Sequence, residues 1–212
     1  MSRRFLKCLR ANSLFCSPKK TNLSTIDFKF LSYRISRKEI KPNEDKVKKV
    51  LKWLRSTSAT DVRGLLGMVW YIANHLPELA RHTSVLTSLT TKEAERNFVW
   101  RDHHSLAFDM IEKLVLSPEV LTVIDHNNIE DDEIFVACDA SDTCTGAVLS
   151  YGKSLQTAPS VAFESQQLRG AELNYPVHEK DLSSIIRALK KWRTDLLGVP
   201  ILIYTDLENF DE

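Results

Sequence analysis

The spacing of apolar residues changes period several times along this chain, and each change predicts an element. TIDFKFLSYRIS alternates apolar and polar positions through Ile26, Phe28, Phe30, Tyr33 and Ile35, which predicts a strand or hairpin. Pro42 and Asn43 then open a helix in EDKVKKVLKWLRS, with Val47, Val50, Leu51 and Leu54 on one face and lysines over the rest. A second helix is expected from Thr60 as N-cap, with Asp61 in its first turn, through DVRGLLGMVWYIANHL to Pro77. Periodicity fades between residues 81 and 99. It returns in RDHHSLAFDMIEKLVL, a third helix with Leu106, Met110 and Leu114 inward and Pro118 after its end. HNNIEDDE, residues 126–133, has no period and reads as a loop at a domain boundary.

Beyond that loop the pattern predicts strands at 134–140, 146–150 and 160–164, a helix at 178–196 and a strand at 201–205. Leu182, Ile185, Ile186, Leu189 and Leu196 form the stripe expected to pack on the sheet, and Gly198 and Pro200 punctuate the helix end. A right-handed crossover through this helix makes the fourth strand parallel to an earlier one. The expected fold class is α/β in this part and α+β overall, with a small basic strand-plus-helices module in front.

Composition adds an asymmetry. The 212 residues carry a net charge of only +1 and are 43% hydrophobic, enough for a sizeable core. Residues 1–59 nevertheless hold 16 Lys/Arg against 4 Asp/Glu, leaving 13 against 24 for the remainder. A basic first quarter suits a polyanion such as nucleic acid, and the acidic remainder suits a cation. Cys8, Cys16, Cys138 and Cys144 show no C-x-x-C spacing and read as free thiols of a reducing compartment. No apolar run reaches the ~20 residues of a membrane span, so no membrane partner is expected. A cytoplasmic or nuclear location follows. The lesser alternative is mitochondrial targeting by the first 26 residues, which are basic and contain no acid, although FLKCLRANSL reads better as a helix tail.

Candidate chemistry lies in the last third. Asp139 ends an apolar strand (IFVACDASD), Asp181 lies in the first turn of an amphipathic helix (HEKDLSSIIRALKKW), and Asp206 ends another apolar strand (ILIYTD). Carboxylates in apolar runs are costly to bury without a counter-charge, and three that converge suit a hard divalent cation. Such a site performs two-metal phosphodiester hydrolysis, with paired cations about 4 Å apart. Glu179, rotated about 200° from Asp181 on the helix, cannot easily share the role. Asp142 reads as a turn acid and Asp195 as a solvated one. The bland alternative for Asp139 is an ordinary strand end. Lys46, Lys48, Lys49, Lys52 and Arg55 are candidates for gripping phosphates, or else a solvated helix face. The histidines lack zinc-ligand spacing. The tryptophans at 53, 70, 100 and 192 read as core rather than base-stacking platforms.

A resemblance sharpens this picture. FVACDASDTCTGAVLSYG, then VAFESQQLRGAELNYPVHEKDLSSIIRALKKWRTDLLGVP, then IYTD is similar to the ribonuclease H domain of gypsy-type LTR retrotransposon polyproteins. Upstream, LRANSLFCSPKK and FKFLSYRISRKEIKP resemble the end of the reverse transcriptase palm with its primer-gripping hairpin. EDKVKKVLKWLRSTSATDVRGLLGMVWYIANHLPELARHTSVLTSLT resembles the thumb and connection. The resemblance divides the chain into a palm remnant (1–42), a thumb/connection-like helical region (43–97), a lead-in helix and linker (98–133) and a ribonuclease H-like mixed sheet with crossover helix (134–212).

By that resemblance Asp139, Asp181 and Asp206 are both the catalytic acids and the ligands of two Mg2+ ions. The implied substrate is an RNA–DNA hybrid and the implied partner the rest of a retrotransposon polyprotein. The family's Y-x-D-D polymerase motif is not in this sequence, so DNA synthesis by the chain alone is not expected. The family has Glu where Asp181 stands. Its carboxylate is therefore withdrawn by about 1.5 Å, a misplacement that can cost about a hundredfold in rate. The family also continues past the third acid into a last helix and a fourth acid, so the sheet is expected to be truncated and activity weak or lost. The alternatives are a non-catalytic nucleic-acid-binding remnant and a decayed element.

Overall fold

The computed structural model describes residues 2–17, 19, 21, 25–31, 33–36, 38–126 and 132–205. It has two four-stranded sheets, with a helical layer inserted before the last strand of the first. Helix α1 (Ser2–Ala11) leads into β1 (Phe28–Phe30), β2 (Tyr33–Ile35) and β3 (Glu39–Pro42). These strands form an antiparallel meander completed by β4 (Leu121–Thr122), in the order β1-β2-β3-β4. The alternation around Phe28 and Tyr33 is thus a hairpin. Leu31 at φ 53° helps turn it. Strand β3 lies outside the expected elements, because Pro42 and Asn43 read as the opening of the next helix. Proline is tolerated at such a strand end, and here it registers with Tyr33.

Helix α2 (Glu44–Leu51) starts at Asn43, whose side chain accepts from Asp45 N. It ends earlier than its apolar spacing suggests, and Leu54 is 85% exposed rather than on the packed face. Helix α3 (Ala59–Trp70) is capped by Ser58, one turn-residue pair before the expected Thr60. It buries Ala59, Val62, Leu65, Leu66 and Val69 at helical spacing. The helix stops at Trp70, and a short 3-10 turn (Ala73–His75) carries the chain to Pro77. Gly64 lets α3 approach Trp53, since a Cβ there would meet the indole at 3.1 Å.

The stretch that lacked a pattern holds α4 (Leu79–Thr87), a 3-10 turn at Ser88–Thr90 and α5 (Lys92–Arg96). Helix α6 (Asp102–Leu116) is where the third helix was expected, but it is rotated. Its buried residues are His104, Ala107, Phe108, Ile111 and Val115, whereas Leu106 is 67% exposed. Phe108 and Ile111 fill the space between α6 and its neighbours α2 and α4, and the equally periodic Leu106–Met110 row is left outward. One cluster joins α2, α3, α4 and α6 through Val50, Leu65, Ile72, Leu86 and Ile111.

The second sheet consists of β5 (Glu133–Ala140), β6 (Cys144–Gly152), β7 (Ser160–Gln167) and β8 (Ile201–Thr205), in the order β7-β6-β5-β8. The first two ladders are antiparallel, while β8 runs parallel to β5 after the crossover helix α7 (Val177–Lys191) and the short α8 (Arg193–Leu196). Gly198, at φ 83°, makes the turn out of α8. Helix α7 packs on β5 and β6 through Ala188 and Ser184, with Trp192 just beyond its end, and Ile185, Leu189 and Leu196 of the expected row join the same cluster. Leu182 and Ile186 face outward, 53% and 42% exposed.

His75 links the helical layer to the first sheet and the segment before β4. Its ring lies 5.6 Å from the Tyr33 ring, Nδ1–H donates to Glu119 O at 2.7 Å, and Glu119 N–H donates back to His75 O. Nε2 is buried without a partner among the described residues. Burial therefore holds the His75 pKa below its ordinary value, because a second N–H would have no acceptor. The same sign applies to His82 and His104. The unfolded chain then binds more protons, so stability is complete above pH ~6.5 and declines as the pH falls from there toward the depressed folded values. Thermal unfolding from pH 7.5 to 5 is expected to show this decline, with a shallower slope in His75→Gln. An equal slope in the variant would remove His75 as a cause.

Candidate active site

Strand β5 sorts its side chains by alternation. Ile134, Val136 and Cys138 face α7 and join its apolar cluster, which leaves Phe135, Ala137 and Asp139 on the other face. Asp139 is exposed at the C-terminal end of this central strand, in register with Gly146 of β6. A cavity of about 380 Å³ opens there. Asp139, Ser141, Asp142 and Thr143 line it on one side, with Glu78 and Arg81 of the helical layer on the other. Asp142 is a turn acid, as expected. Its side chain is 99% exposed, and the turn itself closes through Ser141 and Cys144.

Asp181 is only 6% exposed, and its neighbours on the helix are buried polar groups as well. Ser184 Oγ–H donates to Gly146 O at 2.7 Å, on the same ladder rung as Asp139. Lys180 Nζ donates to Asp142 O at 3.4 Å and pairs with its carboxylate at 3.6 Å. The first turns of α7 are thus fastened to the end of the sheet where Asp139 opens. Asp181 also acts on Cys138. Burial pushes this thiol up to about 11, Ser184 works against that through a hydrogen bond, and the Asp181 charge adds to it. Cys138 stays protonated at neutral pH and offers no thiolate to a metal. Glu179, by contrast, is exposed, as its rotation from Asp181 requires.

Strand β8 reaches the same end, and its last described pairing is Cys138 with Thr205. Asp206, the next residue, lies outside the described residues. Among the described residues no group of three His, Cys, Asp or Glu side chains is poised to hold a metal. Sequence reasoning missed Lys180, Ser184 and Arg81. A signal for Ser184 was available, since a serine three residues after Asp181 shares its helix face.

The basic candidates are spread out. Lys46 sits 4.6 Å over the Tyr71 ring, and Lys48 pairs with Glu44 at 3.7 Å in solvent. Lys49, Lys52 and Arg55 are exposed, the last two beyond the end of α2. All four cysteines are free, with Cys8 and Cys16 exposed and Cys138 and Cys144 buried. No helix among the described residues is long and apolar enough to cross a membrane.

A sheet in the order β7-β6-β5-β8, with an acid ending its central strand and a crossover helix bringing another to the same end, defines a ribonuclease H-like domain. Residues 100–203 match the family model of the RNase H-like domain found in reverse transcriptase. Over 206 residues, 96% of the chain, it is 31% identical to the transposon Tf2-3 and Tf2-4 polyproteins of Schizosaccharomyces pombe. The chain spans 15% of the length of these relatives. Among solved structures, the foamy viral protease-reverse transcriptase with RNA/DNA hybrid matches 90% of this chain and 25% of that one, at 21% identity and a TM-score of 0.73. The foamy viral protease-reverse transcriptase dRH with double-stranded DNA matches 97% of this chain and 35% of that one, at 21% identity and a TM-score of 0.75. The chain belongs to the retrotransposon Pol family, and it carries the reverse transcriptase type of ribonuclease H-like domain.

Proposed function

We infer that the chain's biochemical role is cleavage of the RNA strand of an RNA–DNA hybrid, with Asp139, Asp181 and Asp206 as the acids that hold two Mg2+ ions. The observation that carries this reading is the fastening of α7 to the Asp139 rung through Ser184 and Gly146. The donor chemistry fits. The acids supply hard oxygen ligands, as Mg2+ prefers, while Cys138, the soft donor nearby, is kept protonated. When bound, the cations would activate a water and stabilise the leaving oxygen. Asp139 presents its carboxylate to the open cleft, where a scissile phosphate has access. Asp181 approaches from the packed side, and its neighbour Lys180 anchors the Asp142 turn. Arg81, across the cleft from Asp139, pairs with Glu78 at 3.7 Å in solvent, a weak pairing that a neighbouring phosphate can displace.

The test is release of labelled RNA from a hybrid in Mg2+ or Mn2+. The Asp139→Asn variant is expected to be slower by at least about a hundredfold, as loss of a metal ligand should exceed loss of an outer partner. Equal release by both proteins rules the reading out. If neither cleaves but both bind hybrid with a steep salt dependence, the second reading stands: a nucleic-acid-binding segment without catalysis, for which the exposed Lys48, Lys49, Lys52 and Arg55 speak.

A further inference from the structure

A second groove, of about 590 Å³, runs between the helical layer and the far edge of the second sheet. Its walls are α4 (Ala80, Thr83, Thr87), β7 (Glu164 to Gln167) and the later turns of α7. Four cations line it: Arg169, Arg187, Lys190 and Lys191. Two are already committed. Arg187 pairs with Glu172 at 2.6 Å and donates to Thr145 Oγ1 at 3.0 Å, while Lys191 pairs with Glu164 and donates to Phe163 O at 3.3 Å. Arg169 and Lys190 are exposed and have no ion-pair partner among the described residues. They leave the groove with cationic groups available to an anion.

Trp70 stands at the same groove. It is 57% exposed at the end of α3, in contrast to Trp192, which is 4% exposed in the core. The expectation that every tryptophan is core therefore fails at this position. The helix ends there, and the following residues turn away before the indole is covered. An exposed indole beside uncommitted cations, with the Gln166 and Gln167 amides alongside, supplies both a stacking surface and phosphate contacts.

We propose that this groove binds a single nucleic-acid strand, its phosphates on Arg169 and Lys190 and one base stacked on Trp70. A single strand is favoured over a duplex because only an unstacked base can lie on the indole. It is favoured over an acidic peptide because a carboxylate gains nothing from that ring face. The groove is lined by different residues from the Asp139 cleft, apart from the shared Ser165, and needs no metal. It therefore stands or falls independently of the proposed hydrolysis.

The experiment is binding of a fluorescent 15-mer of thymidine in EDTA, where no cleavage can occur, read by anisotropy and by tryptophan quenching. The wild-type protein is expected to bind with strong salt dependence and with quenching of its emission. Arg169→Glu combined with Lys190→Glu is expected to weaken binding by about tenfold or more and to reduce the salt slope by about two. Trp70→Phe should remove the quench, and Trp70→Ala should cost roughly tenfold in affinity. Lys92→Glu with Arg96→Glu, exposed on α5 and outside the groove, should leave the quench in place. Circular dichroism of each variant checks that it is folded. The proposal is overturned by absence of binding, by equal affinity in the Arg169/Lys190 double variant, or by a quench that survives Trp70→Phe. Polyglutamate competing as well as the oligonucleotide, or a 15-base-pair duplex binding as tightly with the same quench, also overturns it.

Discussion

Asp181→Glu is expected to speed hybrid cleavage by about a hundredfold over the wild-type chain, if the proposed hydrolysis is limited by reach. Side chains on a helix lean toward its N-terminus, and the N-terminal turns of α7 lie at the sheet end, beside the Asp142 turn. An added methylene at 181 thus carries the carboxylate toward the open end where Asp139 stands. The position is only 6% exposed, so the larger side chain can also cost about 1–3 kcal/mol of stability through overpacking. Single-turnover cleavage and urea unfolding should therefore be measured together. Adding Asp139→Asn to the variant should abolish the gain. A folded Asp181→Glu protein with an unchanged rate would mean that reach at this position is not what limits the site.

Phe135→Ala should destabilise the protein by about 3–5 kcal/mol, a large share of a domain's total of roughly 5–15 kcal/mol. Phe135 is 2% exposed on β5, the strand bonded on both sides, and its ring lies 6.2 Å from that of Tyr204. Removing it opens a cavity in the strand that carries Asp139. Leu202→Ala on the neighbouring β8, where the side chain is 42% exposed, should cost less than half as much. Urea unfolding of the two variants gives the comparison. Similar midpoints would contradict the burial argument.

The strands of the second sheet were legible because their signal is local. Alternation and turn residues in EIFVACDASD and TGAVLSYG bring the expected boundaries close to the observed β5 and β6. Helix faces were harder to read. Both α6 and α7 carry two apolar rows at compatible spacing, and which one is buried depends on a partner the sequence does not display. In α7 the buried row includes Lys180, Asp181 and Ser184, polar residues that burial tolerates only because sheet and turn groups receive at least Lys180 and Ser184. Ile185, Leu189 and Leu196 pack on the sheet as their spacing predicts, whereas the polar residues of the candidate site share that buried side without any apolar signal. Helix α4 was missed for a different reason. Thr83, Ser84 and Thr87 are weak helix formers whose hydroxyls turn back on carbonyls three or four residues earlier, at Leu79, Arg81 and Thr83. Packing against α6 and β7, rather than propensity, sustains it.

That helix begins in an unusual way. Glu78 precedes it at φ 51° and gives no side-chain cap, yet Ala80 N–H finds an acceptor 2.8 Å away in Ser165 Oγ of β7, 85 residues on. A helix whose start is completed by a distant strand cannot be cut from that strand without exposing its first turn. The seam between the helical layer and the ribonuclease H-like sheet is therefore a poor place for proteolytic excision. A protease that opened the intervening linker would leave two pieces still held together, and the released sheet alone would not inherit the stability it has in the whole chain.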